Sequence, residues 1–352
     1  MRTNTGKVKS DAQADGSRSS LGRAATDSPK VASTRSRSVG VGALATRLSL
    51  IGAWILVIII FGVFDGSNFL SVASFKAIFS NQSTLALGAM ALLIPLVAGE
   101  YDLSVAGTIG VSFVTVAVLN AQHGWPIAAA ILVAIVIGAL IGVINSIVIV
   151  KWKVNSLIAT LGMLSVLEGL QLLISNQNTI TGVSPGLVRI VTSAPLGLTN
   201  SFYFVLVVSG IVWYALEFTP PGRRMRFTGL NREVSRLAGI RVNRVKFVSL
   251  VVSGAVASVA GAINVGTIGA ADPTSAASLL LPIFATVFLG VTVINVGRFN
   301  VWGTFIAIYF LTTGFTGLQL LGLETWIQQV FYGSVLIAAV AGSQYLSQRG
   351  QV

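Results

Sequence analysis

"AILVAIVIGALIGVINSIVIV", residues 130–150, contains no charged side chain, and its only polar ones are Asn145 and Ser146. An α-helix needs about 20 apolar residues to cross the roughly 30 Å hydrocarbon core of a bilayer. Lipid offers no partner for an exposed N–H or C=O, so such a run crosses as a helix that satisfies its own backbone. The rest of the chain repeats the theme. Its 352 residues are 54% hydrophobic and 10% charged, with a mean hydropathy of +0.83. That composition belongs to an all-α polytopic membrane protein rather than a soluble domain.

The quoted run falls in a span predicted over residues 126–150. Further spans are predicted over 48–64, 80–98, 104–121, 155–175, 202–218, 247–269, 277–295, 301–318 and 326–346, which gives ten transmembrane helices. Segment 80–98 opens on Asn81, Gln82 and Ser83 and is interrupted by Pro95, so eight or nine crossings stay open as alternatives. With both termini cytoplasmic, 21 of the 23 Lys and Arg fall on the cytoplasmic side and only Lys76 and Arg189 outside. Cytoplasmic loops gather positive charge in this way, and an odd number of spans would scramble the partition. The net charge of +12 therefore follows the membrane and does not imply nucleic acid.

Residues 1–46 are basic, rich in Ser, Thr, Arg and Ala, and expected to form a disordered cytoplasmic tail. They lack the short apolar core of a signal peptide. Residues 47–346 form the membrane domain and 347–352 a short cytoplasmic tail. The absence of cysteine excludes disulfides, thiolate metal sites and cysteine nucleophiles. The lone histidine, His123, reads as an outer-loop residue rather than a ligand. No metal-ligand cluster, Ser/His/Asp set or dinucleotide fingerprint occurs, and Gly6-Lys7 runs into Val8 without the features of a phosphate loop. No cofactor is expected. Uphill transport by this chain would draw on an ion gradient or a separate subunit.

The longest hydrophilic stretch after the tail is the basic segment 219–246. Pro220 and Pro221 read as the end of the preceding helix. Leu230, Val234, Leu237 and Ala238 then recur at helical spacing, with Asn231, Arg232, Glu233, Ser235 and Arg236 opposite. Asn231 suits an N-cap and Gly239 a C-terminal stop, giving a helix of about 12 Å. The segment reads either as a loop whose arginines obey the charge rule or as a docking element with an apolar ridge. Elsewhere, Ser253, Ala257 and Gly261, their neighbours Gly254, Ser258 and Ala262, and Gly138 with Gly142 mark faces for close helix packing.

Four acids lie within or beside the spans: Glu100, Asp102, Glu168 and Glu217. An ionised group at a helix centre costs about 2.5–3.5 kcal/mol on insertion scales, so each needs a reason. Glu217 reads as interfacial. Glu168 shares a helix face with Ser165 and Gln171 and reads as pathway lining or as a structural hydrogen-bonding group. Glu100 and Asp102 flank Tyr101 and read as two solvated loop carboxylates or as a functional element.

Four segments, in order, carry a resemblance. "GEYDLSVAG" resembles the "GGIDLSVG" signature, and "VNSLIATLGMLSVLEGL" the "xPFIATLGxMxxxxGL" segment, of sugar-type (ribose/xylose class) permease subunits of bacterial ATP-binding-cassette importers. "GRRMRFTGLNREVSRLAGIRVNRVK" is similar to that family's cytoplasmic loop, with Gly222, Gly229, Glu233, Ala238, Gly239 and Ile240 on its pattern. "LPIFATVFLGVTVINVGRFNVWGT" is similar to its later "AAVVLGGTSLxGGxGSxxGT" segment.

The resemblance implies a ten-span subunit built as two halves in an inverted repeat, in the bacterial cytoplasmic (inner) membrane. It would work with a second permease subunit, identical or not, with two copies of an ATP-binding cassette subunit and with an extracytoplasmic solute-binding protein. Its surroundings are membrane lipid, and it would be a transport subunit rather than an enzyme, moving a monosaccharide or related polyol. Residues 231–239 become the coupling helix, with Gly229, Asn231, Glu233, Arg236, Leu237 and Gly239 as the ATPase-coupling residues. Glu100, Tyr101, Asp102, Ser104, Asn155, Thr160, Ser165, Glu168 and Gln171 are candidates for the solute path. Asp102 is expected to fix the turn before span three by accepting backbone N–H bonds. Branched-chain amino acid permeases share the topology but lack the Asp102-Leu103-Ser104 element. The chain departs from the sugar-type pattern at Glu100, where the signature has glycine, at Tyr101, where it has isoleucine, and over residues 296–300. The alternative is an ion-coupled secondary transporter with Glu168 and Asp102 carrying the proton.

Overall fold

The computed structural model describes residues 41–324 and 326–349. Most of the predicted basic tail, and residues 350–352 of the predicted C-terminal tail, lie outside the described residues. In chain order the helices are α1 (Val41–Phe64), α2 (Gly66–Phe69), α3 (Val72–Ser80), α4 (Ser83–Val97), α5 (Val105–Ala117), α6 (Ile127–Ser146), α7 (Ser156–Ile174) and α8 (Pro185–Thr192). They continue as α9 (Asn200–Phe218), α10 (Pro220–Leu230), α11 (Arg232–Leu237), α12 (Val242–Ile268), α13 (Leu280–Gly290), α14 (Val301–Leu320) and α15 (Trp326–Arg349). α5 and α6 each finish in a wider π turn. The described strands are β1 (Ile180–Thr181) and β2 (Ala270–Ala271), which pair antiparallel with Ile180 opposite Ala271.

Among the described residues, 7 helical stretches are long and apolar enough to cross a membrane, and shorter apolar helices cover Leu50–Phe64, Ser275–Gly290 and Trp326–Gly342. Each of the ten predicted segments overlaps one of these stretches. Two boundaries move for identifiable reasons. The second segment starts at Val72, because Ser71 caps α3 by accepting the Ser74 N–H at 3.1 Å; Asn81 and Gln82 form the joint to α4 rather than its beginning. The eighth ends at Gly290, short of residue 295. There the backbone passes against α14, and a Cβ on Gly290 would sit 2.5 Å from the Thr304 nitrogen. Asn300 caps α14 through the Gly303 N–H at 2.6 Å, and its amide donates to the carbonyls of Gly290 and Val293, which folds residues 291–300 into a turn.

Pro220 and Pro221 follow the end of α9 at Phe218, as expected, and have a second role. They open α10, where a missing N–H costs nothing, and Thr219 caps it by accepting the Gly222 N–H. The Arg226 guanidinium forks onto both carboxylate oxygens of Glu217 and clips α10 back on α9. That pairing is the main cause holding the Arg226 pKa above its ordinary value, against partial burial.

α12 is the hub, packing chiefly against α6, α4 and α5. The small residues picked out in the sequence make this possible. A Cβ on Gly138 would lie 2.4 Å from the Gly254 carbonyl oxygen, and one on Gly142 would lie 2.4 Å from that of Leu250. On the other flank, a Cβ on Gly261 would meet the Ile109 carbonyl at 2.4 Å. α4 is buried along its whole length. α7 and α9 instead turn large apolar side chains outward, among them Ile158, Leu173, Val207 and Ile211. Such faces suit lipid or a second membrane subunit, not water.

Candidate functional site

The loop between α4 and α5 is built by its sequence. Pro95 lies in the last turn of α4, where it can donate no hydrogen bond, and its carbonyl accepts the Glu100 N–H at 2.9 Å. Gly99 takes the left-handed conformation, φ 81°, which turns the chain back across the helix end. From there the residues alternate between two environments.

Asp102 points into the protein and is 3% exposed. Its Oδ1 accepts the Ser104 N–H at 3.1 Å and the Ser104 hydroxyl at 2.5 Å, while its Oδ2 accepts the Ser253 hydroxyl of α12 at 3.1 Å. Asn145 of α6 donates to the Ser104 oxygen at 2.7 Å. The carboxylate thus joins the start of α5 to α12 and, through Ser104, to α6. Burial raises its pKa above the ordinary aspartate value, and the Ser104 hydroxyl, the Ser253 hydroxyl and the Ser104 amide pull it partly back. The backbone beside it is held by α7: Ser156 accepts the Tyr101 N–H at 3.3 Å and Thr160 the Leu103 N–H at 3.0 Å.

Glu100 turns the other way but is no more exposed, with 3% of its side chain accessible. Oε1 is met by Lys246 Nζ of α12 at 2.5 Å and by Arg232 Nη2, from the first residue of α11, at 2.8 Å. The same Nη2 donates to the Gly99 carbonyl at 2.6 Å. The contact is intimate at the backbone as well, because a Cβ on Gly229 would lie 2.3 Å from the Val97 carbonyl oxygen. The loop and segment 219–246, which the ten-span reading puts on one face, therefore touch directly.

α11 itself follows the sequence closely. Asn231 caps it by accepting the N–H groups of Glu233 and Val234 at 3.0 and 3.1 Å, and Gly239 stops it at φ 78°. Arg236 pairs with Glu233 one turn away. Its apolar side chains stand out from the protein: Val234 and Leu237 are 59 and 90% exposed, and Leu230, which the structure places at the end of α10, is 72% exposed.

Two cavities border the loop. One of about 590 Å³ is walled by Tyr101, Phe284, Phe288 and Phe299, with leucines from α7 and α13. Tyr101 stacks towards Phe288 with centroids 6.5 Å apart. The other, of about 390 Å³, is lined by Lys153, Asn155, Arg232, Arg236 and Lys246 beside Glu100. Tyr101 and Leu157 line both.

Of the nine solute-path candidates, the structure gathers Glu100, Tyr101, Asp102, Ser104, Asn155 and Thr160 around this loop. Asn155 is the N-cap of α7, and Asp102, Ser104 and Thr160 are committed to buried hydrogen bonds. The α7 stripe divides. Gln171 is buried against Gly107 and Gly110 of α5, Glu168 is half-buried and Ser165 faces outward. Asn145 and Lys246 enter the site without having been singled out. The sequence carried no signal that names Lys246, because Lys76, Lys151 and Lys153 all lie nearer to Glu100 along the chain.

The family described as "Branched-chain amino acid transport system / permease component" matches residues 74–340. The autoinducer 2 import system permease protein of Photorhabdus laumondii is 29% identical over 302 residues, 84% of this chain and 90% of its own. The ribose import permease protein of Escherichia coli is 29% identical over 308 residues, 84% and 93% respectively. The D-allose transport system permease protein of the same organism is 27% identical over 294 residues, 83% and 90%. No solved structure matches the chain.

Proposed function

The chain belongs to the family of branched-chain amino acid transport system permease components, and from that premise we propose that it moves a monosaccharide or related polyol as the membrane-spanning subunit of an ATP-binding-cassette importer in a bacterial cytoplasmic membrane. The relatives named for ribose, allose and autoinducer 2 support a polyhydroxylated solute, as does the Asp102-Leu103-Ser104 element. In this reading the chain crosses ten times with both termini inside, pairs with a second permease subunit, and receives solute from an extracytoplasmic binding protein. Two ATP-binding cassette subunits hydrolyse the ATP.

The observation that carries the reading is α11. A short, capped helix with Val234 and Leu237 unburied, Leu230 exposed at the end of α10 just before it and Arg236 at its rim, is what a groove on an ATPase would take. Nucleotide-driven closure of the ATPase pair would then favour one orientation of the permease over the other, in proportion to its differential affinity for the two. A neutral solute needs no charged relay, which fits the commitment of Asp102 to buried hydroxyl donors.

Uptake of radiolabelled ribose and allose by cells expressing the complete transporter tests this. Uptake should survive a protonophore and cease when ATP is depleted. Collapse with the proton gradient and indifference to ATP would overturn the reading and favour ion-coupled transport.

A further inference from the structure

We infer that Glu100 is the positioning residue through which motion of α11 reaches the solute path, and that Tyr101 is the wall it moves. The inference rests on the reading of α11 as the ATPase-docking helix.

Three elements meet at one buried carboxylate oxygen. Arg232 brings the first residue of α11, Lys246 brings the start of α12, and Glu100 itself belongs to the α4–α5 loop. The link is short and doubled, since Arg232 also holds the Gly99 carbonyl, and Gly99 packs against Gly229 at the end of α10. Lys246 is only 13% exposed, so its pair with Glu100 is shielded from salt and water, while Arg232, 47% exposed, is fixed by its two contacts to Glu100 and the Gly99 carbonyl. A shift of α11 is delivered to residues 99–100 through those two contacts and the Gly99–Gly229 backbone contact.

The next residue is where that shift would matter. Tyr101 and Leu157 separate the aromatic cavity from the basic one. The backbone of Tyr101 is bonded to Ser156 at the start of α7, so moving Glu100 changes the seam between loop and helix where the two cavities adjoin. The sugar-type signature has glycine where this chain has Glu100, and glycine has no side chain with which to make the link. The device thus belongs to this chain's own departure from the pattern.

The chain contains no cysteine, so Leu157→Cys supplies a unique thiol in this subunit at the shared wall. The complete transporter, with its ATPase and binding-protein partners, is reconstituted in proteoliposomes. A maleimide is then added on the ATPase side with and without vanadate-trapped nucleotide. In the Leu157→Cys parent, trapping should change the labelling rate. Adding Arg232→Gln, or Glu100→Gln together with Lys246→Gln, should bring the ratio of the two rates to unity while ATP hydrolysis continues, and uptake per ATP should fall. The double change leaves no unpaired buried charge, and Arg232→Gln leaves Glu100 paired with Lys246, so neither should prevent assembly. Glu100→Asp should restore part of the response. Retention of the parent's full nucleotide response in both variants overturns the inference. A parent with no nucleotide response overturns the importer reading, and the inference with it.

Discussion

Replacing Ser253 with alanine tests the account of the Asp102 network. Among the described residues, Ser253 is the donor to Asp102 Oδ2, and the Ser104 groups all reach Oδ1. Both Asp102 and Ser253 are buried, so water does not readily replace the lost hydroxyl. A hydrogen bond to a charged group is worth about 1.5–3 kcal/mol, and that is the destabilisation expected where Asp102 is ionised. The pH dependence follows from the direction of the shift. Burial raises the folded-state pKa above the ordinary 3.8, so the native chain holds this proton more tightly than the unfolded chain does. The resulting stabilisation is complete below the unfolded pKa and is lost as pH rises through the folded one. Removing the Ser253 donor raises the folded pKa further, so the deficit of the variant should grow with pH and then level off. Unfolding in detergent, followed through the 6 tryptophans, measures it. In an Asp102→Asn background the amide can donate to Ser253, and there Ser253→Ala should cost less and show no pH trend. A deficit that shrinks as pH rises, or a variant as stable as the parent at neutral pH, would refute the reasoning.

Two further changes probe the surfaces around the loop. Leu237→Ala should leave membrane insertion and thermal stability unchanged, because the side chain is 90% exposed. It should weaken ATPase binding roughly ten- to hundredfold, the equivalent of burying one leucine at about 1.5–3 kcal/mol; equal affinity in a pull-down titration counts against α11 as the docking helix. Gly229→Ala puts a methyl 2.3 Å from the Val97 carbonyl oxygen, backbone against backbone. It should cost about 1–3 kcal/mol and reduce uptake, checked by thermal unfolding and transport in the same preparation.

The helix content and α11 were legible because both depend on local signals. Long apolar runs have one solution in lipid, and Asn231 and Gly239 act within a few residues of themselves. The prolines were read as ending the helix before them, which they do, but α10 was missed because a proline pair opens a helix as readily as it ends one; Thr219, immediately before it, was the available cue. The stripe of Ser165, Glu168 and Gln171 shows a different limit. Spacing tells which residues share a face, but each three-residue step rotates by about 60°, so Gln171 can bury itself on α5 while Ser165 faces outward. Glu100 was read as a candidate for the solute path, yet its side chain is spent on Arg232 and Lys246, more than 130 positions away. No local pattern encodes that distance.

α12 has a mechanical meaning beyond its packing. It starts near the Lys246–Glu100 pair, ends against β2, and is gripped near its midpoint, where Gly254 meets Gly138. A helix of its length spans about 40 Å at 1.5 Å per residue. α12 is held as closely at Leu250, by Gly142, and at Gly261, by Ile109, so the grip extends to both sides of the midpoint. The charged end and the stranded end therefore cannot shift independently: a displacement at either has to carry α5 and α6 with it.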